Sequence, residues 1–275
     1  MLLYNKYHSG INLKNSMDDL SEWTEFHIHD EYEMVYLQEG SPAFFIGSNL
    51  YHPSPGDLLV LRGSELHILN MNAKPEKKCI FTAIEFNRNI SVSVSSCEDM
   101  IRDIFESGNH ISLIRPSYRN SQLIRAILCA IADLQANPAR NALSLTHAYF
   151  IRLLYIVCES VEKSPGRITS CSYNPQLSEI IKYIDANLSG DLKLDTICNN
   201  FYISKQHVIK LFKDITGGTA HGYIIHKRLA NAKKMLSQGF TVYESSYSSG
   251  FSSYSNFIRL FKDKTGLSPG KYMKL

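Results

Sequence analysis

The stretch Ser204–Gly217, SKQHVIKLFKDITG, decides the fold of the C-terminal part of this 275-residue chain. It recurs 49 residues later as Ser253–Gly266, SYSNFIRLFKDKTG, with eight of 14 positions identical. In the first copy Ser204 is a good N-cap and Gly217 a good stop signal. Between them lie apolar residues at the i, i+3, i+4 and i+7 spacing of a helix. They are Val208, Leu211, Phe212 and Ile215.

The second copy repeats this pattern with Phe257, Leu260 and Phe261, with Ser252 or Ser253 as the cap and Gly266 as the stop. A shorter apolar pattern precedes each copy and predicts one more helix and a turn. These patterns run over residues 194–203 and 242–251. A helix, a short turn and a second helix form the helix-turn-helix unit, so the sequence predicts two such units in tandem.

The two copies differ on the first turn of the predicted helix. There, Lys205, Gln206 and His207 of the first copy correspond to Tyr254, Ser255 and Asn256 of the second. A recognition helix presents the side chains of its first turn to base edges in the major groove. The two copies share their apolar residues but differ in the polar residues of the first turn. This difference predicts two helices that bind two different DNA half-sites.

These motifs resemble the AraC/XylS family of bacterial transcription regulators, and the likeness covers residues 177–275. The resemblance implies a DNA-binding domain in which a long helix joins two helix-turn-helix units. Its first-unit elements are Ser204, Leu211-Phe212-Lys213, Thr216-Gly217, Tyr223, Arg228-Leu229 and Ala232-Lys233. Its second-unit elements are Gly250-Phe251-Ser252-Ser253, Phe257, Arg259 to Lys262, Gly266-Leu267-Ser268-Pro269 and Tyr272.

Matched to the family, several side chains are implied to contact DNA. We expect Arg259 to bind guanine, Asn256 to address adenine, and Ile209 or Ile258 to meet a thymine methyl group. The lysines are expected to hold phosphates. The plain alternative is an uninvolved surface side chain, or the edge of the core for the two isoleucines. The implied set is Lys205, Gln206, Ile209, Lys210, Lys213, Tyr254, Ser255, Asn256, Ile258, Arg259 and Lys262.

Two positions depart from the family pattern. Tyr202 stands in the first turn where glycine is usual, so this turn must either avoid a positive φ or carry strain. Ser245 and Ser249 stand where large aliphatic residues are usual, which predicts looser packing in the second unit.

The charge distribution supports a polyanionic partner for the C-terminal part. The residues before Tyr173 carry 15 Lys and Arg against 19 Asp and Glu, whereas those from Tyr173 onward carry 14 against seven. A basic module behind an acidic one is typical of nucleic-acid binding, although a solvated basic surface is the plain alternative.

The sequence shows neither a secretion signal nor an apolar stretch of membrane-spanning length, so we expect a cytoplasmic protein. Six widely spaced cysteines without a Cys-x-x-Cys pair indicate neither a zinc site nor a disulfide framework.

The acidic part contains two motifs that resemble those of the cupin barrels. The first has His27-x-His29, Glu33 and Gly40, and the second has Gly56, Arg62-Gly63-Ser64 and His67. Short β-rich runs punctuated by glycine and proline surround both motifs, as antiparallel strands of a jelly roll require. They are residues 34–37, 43–46, 58–61 and 79–86.

The cupin resemblance makes the side that carries His27, His29 and Glu33 the barrel interior, with His67 facing them. Three imidazoles and a carboxylate can coordinate a transition metal, can bind a polar ligand without metal, or can be hydrogen-bonded structural residues. We favour a ligand site formed by these four residues and Arg62, with no metal and no cofactor. Tyr51, His52 and Arg62 suggest a polar ligand such as a sugar.

A helical region separates the predicted barrel from a linker rich in Ser, Pro and Gly. Its first apolar stripe approaches the a/d pattern of a paired helix, and the AraC/XylS family places its dimer contact here. We expect part of this stripe to serve in dimerisation rather than purely in the core. The stripe is Leu123, Ile124, Ile127, Leu128, Ile131 and Leu134, and Leu143, Leu145, Ile151, Leu154 and Val161 mark a following helix.

The sequence as a whole predicts an α+β protein: a cupin-like sensing domain over residues 1–117, dimerisation helices over 118–162, a linker over 163–175 and an all-α DNA-binding domain over 176–275. The predicted function is a ligand-responsive, DNA-binding transcriptional regulator, an activator rather than an enzyme. Its expected partners are double-stranded promoter DNA, a small-molecule effector, RNA polymerase and a second copy of the chain. The alternative is a metal-dependent cupin enzyme with a nucleic-acid-binding module.

Overall fold

A computed structural model describes residues 10–15, 26, 28–47, 49–63, 65–70, 79–87, 90, 95–107, 110–137, 140–163 and 174–274. Within these ranges the first half of the chain is rich in β-structure and the second half is helical, which confirms the mixed α+β prediction. The strands are β1 (Ile11–Asn15), β2 (Tyr32–Glu39), β3 (Ala43–Ile46), β4 (Asn49–Tyr51), β5 (Leu58–Leu61), β6 (His67–Asn70), β7 (Ile80–Phe86) and β8 (Leu113–Ile114).

These strands form two antiparallel sheets, one in the order β1-β7-β2-β5-β8 and one in the order β4-β3-β6. Alternate residues of β2 point to opposite faces of the first sheet. Val35 and Leu37 pack in the apolar cluster shared by the two sheets, with the rings of Phe44 and Phe81 5.9 Å apart within it. Met34 packs with the helices on the outer face. The cupin barrel itself stays a prediction.

Three helices and one π-helical turn cover the outer face of the five-stranded sheet. They are α1 (Ser95–Ile101), the turn Arg102–Glu106, α2 (Tyr118–Ala136) and α3 (Ala142–Lys163). The apolar stripe of α2 lies in this layer, because Ile124, Ile127, Leu128 and Ile131 are buried against the sheet and α3. These four residues belong to the core of the chain, and the expectation that part of the stripe serves in dimerisation stays a prediction for Leu123 and Leu134, which are only partly buried. Periodicity identified the apolar face but not the partner that covers it.

The following helix buries Phe150, Leu153 and Leu154, whereas Leu143 and Leu145 are exposed. Among the described residues, α3 is also the one helix that is long and apolar enough to cross a membrane by length and composition, which corrects the expectation of no such stretch. Its buried face packs in the same core as the sheet. Core helices of globular proteins pass this test too, so it is weak evidence for a membrane span.

Seven helices follow. They are α4 (Pro175–Ala186), α5 (Leu194–Phe201), α6 (Lys205–Thr216), α7 (Ala220–Ser237), α8 (Val242–Ser248), α9 (Tyr254–Thr265) and α10 (Pro269–Tyr272). Lys163 ends α3 and Pro175 begins α4, so these end residues of the predicted linker are helical, while residues 164–173 lie outside the described ranges.

Two apolar clusters organise these helices, and α7 belongs to both. The first joins α4, α5 and α6 to Tyr223 and Ile224 on α7, and it also contains Phe45 and Ile68 of the three-stranded sheet. The second joins Leu229 on α7 to α9 and α10. The helices therefore form two groups connected by one long helix.

The caps predicted for α6 and α9 are confirmed. The Ser204 hydroxyl accepts the backbone N–H of His207 at 3.2 Å, and the Ser253 hydroxyl accepts that of Asn256 at 3.3 Å. Each helix ends at its predicted glycine, Gly217 or Gly266.

The second helix group buries small polar residues where the first buries large apolar ones. Ser245, Ser246 and Ser249 are fully buried. The Ser249 hydroxyl accepts a hydrogen bond from the Asn231 side-chain amide at 3.2 Å, but those of Ser245 and Ser246 have no partner among the described residues. A buried hydroxyl without a partner lowers stability, because it loses its hydrogen bonds to water.

This difference predicts opposite effects for two serine substitutions. Ser245→Ala should raise the free energy of unfolding by about 1 kcal/mol, since it removes an unsatisfied buried group. Ser253→Ala should lower it by about 1 kcal/mol, since it removes a helix cap. Chemical denaturation of the two variants beside the unsubstituted chain measures both. Destabilisation by Ser245→Ala would show that its hydroxyl is satisfied.

Candidate functional site

The first turn of α6 and its solvent-facing side carry exposed side chains. Ile209 is 55% exposed, so it is not an edge of the core. The ammonium of Lys205 lies 2.6 Å from a carboxylate oxygen of Asp195, and the Lys213 ammonium donates to the Gly217 carbonyl at 3.2 Å. All five residues nominated on this helix are exposed: Lys205, Gln206, Ile209, Lys210 and Lys213.

On α9 the nominated residues are exposed with one exception. Ile258 is only partly exposed and packs against the second apolar cluster, so it is not equivalent to Ile209. The Arg259 guanidinium donates to the Asn256 side-chain oxygen at 3.0 Å, which couples two side chains nominated for base contacts. The exposed ones are Tyr254, Ser255, Asn256, Arg259 and Lys262.

Sequence reasoning missed an aromatic cluster beside α9. The rings of Tyr243 and Tyr247 lie 4.6 Å apart on α8, and that of Tyr243 lies 5.9 Å from Tyr254. All three are exposed. The i, i+4 spacing of Tyr243 and Tyr247 was the available signal, since such residues share a helix face.

The turn between α5 and α6 resolves the question raised by Tyr202. This residue has φ 54 and ψ 43, the left-handed region, and its side chain is 96% exposed. The turn keeps the positive φ that glycine normally supplies, so Tyr202 carries the local strain.

A second candidate site lies between the two sheets, where His29, Glu33 and His67 come together. Glu33 is fully buried on β2, on the same face as Val35 and Leu37. One of its carboxylate oxygens, Oε2, lies 3.2 Å from His29 Nε2 and 3.1 Å from His67 Nε2. The other, Oε1, has no hydrogen-bond partner among the described residues.

The backbone fixes the orientation of both imidazoles. His29 Nδ1 lies 3.1 Å from the Glu31 carbonyl oxygen, and His67 Nδ1 lies 2.8 Å from the Glu65 carbonyl oxygen. An N–H at each Nδ1 donates to its carbonyl, so each Nε2 faces the carboxylate. His29 precedes β2 rather than lying on it, so turn geometry places it and not strand alternation.

Of the other two nominated pocket residues, the structure describes only Arg62. His27 is outside the described residues. Arg62 is partly buried, and its charge acts on Tyr51 and His110. The structure therefore brings together His29, Glu33 and His67, while Arg62 belongs to a neighbouring polar group.

The buried carboxylate controls the protonation of this cluster. Burial disfavours the charged imidazolium of His29, but the hydrogen bond and charge of Glu33, with the charges of Glu85 and Glu31, outweigh it and raise the pKa of His29 from 6.5 to about 9. Burial also raises the pKa of Glu33, but the two imidazoles outweigh it and hold that pKa well below its usual value. At neutral pH, Glu33 and His29 therefore form an ion pair.

The same donor set fits a cation. Ligand atoms of His29, Glu33 and His67 lie within 4.8 Å of one another, and histidines that bind metal commonly donate their other ring N–H to a backbone carbonyl. Either a proton on His29 or a bound cation can balance the carboxylate charge.

The ion pair predicts a pH dependence of stability. The raised pKa of His29 stabilises the fold fully below its unfolded value of 6.5, and this contribution is lost as pH rises toward about 9. The unfolding free energy should fall over that interval, by at most on the order of 3 kcal/mol. His29→Gln should flatten the slope, whereas His221→Gln, at an exposed position, should not. A slope that His29→Gln leaves unchanged would contradict the assignment.

Comparisons with known proteins identify the helical part. A family model described as a helix-turn-helix domain matches residues 197–275. The probable transcription factor PqrA of Proteus vulgaris is 32% identical over 99 residues, which covers 35% of this chain and 81% of that protein.

Two further matches extend over most of the chain. The HTH-type transcriptional activator RhaS of Yersinia pestis is 22% identical over 253 residues, covering 88% of this chain and 86% of that protein. A solved structure of apo ToxT from Vibrio cholerae aligns over 96% of both chains at 12% identity, with a TM-score of 0.39. From the tandem motifs, the capped helices and the PqrA match, we conclude that this chain belongs to the AraC/XylS family of DNA-binding transcription regulators.

Proposed function

We propose that this protein is a ligand-responsive, sequence-specific transcriptional activator, with α5–α6 and α8–α9 as two helix-turn-helix units. The observation that carries the proposal is the pair α6 and α9. Both are capped by serine and bury an apolar residue at two matched positions, Val208 and Phe212 of α6 and Phe257 and Phe261 of α9. Both also expose a first turn whose side chains differ. Helices of this form fit one major groove each.

Different side chains then supply specificity and affinity. Arg259, held by Asn256, is suited to bidentate binding of guanine, and the exposed Ile209 is suited to a thymine methyl group. Lys210, Lys213 and Lys262 are suited to phosphates. The partial burial of Ile258 supports dropping it from the set of base contacts.

For the sensor we propose a small polar metabolite, such as a sugar, bound at His29, Glu33 and His67. The buried Glu33 Oε1 is an acceptor with no partner among the described residues, and a ligand hydroxyl would satisfy it. A ligand changes the activity only if it binds one arrangement of the chain better than another. We retain the division into 1–117, 118–162, 163–175 and 176–275 as part of this proposal.

For dimerisation we propose α3 together with Leu123 and Leu134, the residues of the α2 stripe that are only partly buried. Leu145 and Tyr149 lie one turn apart on α3 and are 44% and 37% exposed, and large apolar residues exposed together favour a protein contact. The similarity to RhaS, a transcriptional activator, supports activation, and we propose RNA polymerase as a further partner. We also propose that the protein is located in the cytoplasm.

The second candidate function is a metal-dependent enzyme that carries a DNA-binding module. The observation in its favour is the cluster of two imidazoles and one carboxylate, a set suited to Fe, Mn, Ni or Zn. Metal content and turnover distinguish the two functions.

The DNA-reading proposal is tested on sites selected from a random duplex pool. Arg259→Ala should relax base preference at one position and weaken binding by roughly 1–3 kcal/mol. Lys213→Ala is the control, because loss of a phosphate contact should weaken all sequences alike and lower the salt slope by about 1. Uniform weakening by Arg259→Ala, measured by quantitative selection, would exclude it as a base-reading residue.

The sensor proposal is tested with a metabolite panel and elemental analysis. His29→Ala and Glu33→Ala should each abolish the effect of the active metabolite on DNA binding, since both remove polar groups of the site. Glu98→Gln, at an exposed position on α1, should not. Metal should be substoichiometric in the purified protein. One equivalent of transition metal with regulation unchanged in both variants would favour the enzyme.

A further inference from the structure

A short segment beside the sensor cluster contacts both helix groups of the DNA-binding part. We call residues 26 and 28–33 the strut. The ring of Phe26 lies edge-on to Phe45 of the sheet at 6.2 Å and to Tyr223 of α7 at 5.9 Å. Phe26 is buried in the first apolar cluster. One end of the strut is thus packed into the first helix group.

The fit around Phe26 leaves no room for a side chain on the opposing loop. A Cβ atom at Gly218, between α6 and α7, would overlap three atoms of the Phe26 ring. At Gly222, on the first turn of α7, a Cβ would stand 3.7 Å from the same ring. The strut and the start of α7 are therefore in direct van der Waals contact, which resists sliding of one against the other.

Four residues along, the strut contacts the second helix group. Asp30 accepts a hydrogen bond from the Tyr272 hydroxyl of α10 at 2.7 Å, and the ammonium of Lys233 on α7 lies 3.4 Å from the same carboxylate oxygen. The Lys233 ammonium is also 5.8 Å from the centre of the Tyr272 ring, which packs on Phe261 of α9. Asp30 thereby holds the group that contains α9.

The Asp30 backbone is tied to the sensor cluster on both sides. His29, the preceding residue, bonds to Glu33 through Nε2 and to the Glu31 carbonyl through Nδ1, so its imidazole spans the turn that carries Asp30. Gly63, in the loop before β6, lies so close that a Cβ there would overlap the Asp30 carbonyl. His29 and Asp30 are therefore adjacent in one turn that packs closely against Gly63.

We propose that the strut sets the orientation of the second helix group relative to the first, with Phe26 as the fixed end and Asp30 as the end that responds to the His29–Glu33–His67 cluster. Asp30 and Tyr272 are positioning residues: they are not themselves assigned DNA contacts but hold α9 and α10. A ligand at the cluster would change the orientation of α9 relative to α6. Because each of these helices is proposed to enter one major groove, such a change would alter DNA binding.

Amide hydrogen exchange in the full chain tests the contact first. Asp30→Leu removes the acceptor and Tyr272→Phe removes the donor of this hydrogen bond, and each keeps a similar side-chain shape. Each should accelerate exchange of the hydrogen-bonded amides of Tyr272 and Met273 about tenfold, without effect on α4. The double variant should exchange no faster than the Asp30 variant alone, because that change already removes the acceptor of the Tyr272 hydroxyl together with the partner of Lys233. Tyr118→Phe, at an exposed position on α2, is the control. Unchanged or additive exchange overturns the contact.

Coupling to the cluster is tested in the same way with His29→Ala, and with Glu33→Gln as a second variant that keeps the side-chain shape. Either should accelerate exchange of the α10 amides in the unsubstituted chain but not in the Tyr272→Phe background. This non-additivity is a signature that a merely structural role of His29 does not produce. Equal acceleration in both backgrounds, or none in either, overturns the proposal.

The contact between the strut and the helices does not depend on the proposed function. Only its role in regulation rests on that function. The exchange experiments use neither DNA nor a metabolite. A negative result therefore removes the strut and leaves the proposed DNA reading and ligand site as they stand, whereas failure of the DNA selection leaves the exchange result interpretable.

Discussion

The burial of one carboxylate constrains the N-terminal half of the molecule. Glu33 is fully enclosed between two sheets, and a charge in that place is tolerated only with a partner of opposite charge. The His29 imidazolium, in the turn before β2, provides this charge, and the His67 imidazole of β6 contacts the same carboxylate oxygen. Both segments are therefore held at one point of the sheet interior. The turn that delivers His29 also carries Asp30, and Asp30 bonds to the last helix of the chain. Two neighbouring residues, His29 and Asp30, thus connect the polar cluster between the sheets to the surface of the helical part.

The helical half follows from duplication of one scaffold. The same serine cap, the same glycine stop and two matched buried positions define α6 and α9, while the residues on their first turns have diverged. The two groups differ in packing: the first shares its apolar cluster with the sheet, and the second is smaller and buries three serines. The second group is joined to the rest through α7, through the contacts of Tyr272 and Lys233 with Asp30, and through the close approach of Gly250 to the Leu188 carbonyl. Its smaller core makes it the part more easily reoriented.

The features predicted correctly from the sequence depend on residues that are close together in the chain. Helix spacing and caps located α6 and α9, and β-rich runs located four of the strands, because both patterns depend on near neighbours. The His29, Glu33 and His67 cluster was predicted from the cupin resemblance. Periodicity did not show which surface covers an apolar face. Four residues of the α2 stripe are buried in the core of the chain, and Ile258 lies partly buried although its counterpart Ile209 is exposed. The contact of Asp30 with Tyr272 joins residues 242 positions apart, which no local pattern encodes.

The central claim is that one chain reads two successive major grooves with α6 and α9. Hydroxyl-radical footprinting of the full chain on its selected duplex tests this most directly, because cleavage reports contact at each sugar. The account predicts protected patches about one helical turn, ~34 Å, apart on one face of the duplex, with Arg259→Ala weakening only one of them. A single patch for each bound chain, or patches on opposite faces, would contradict it.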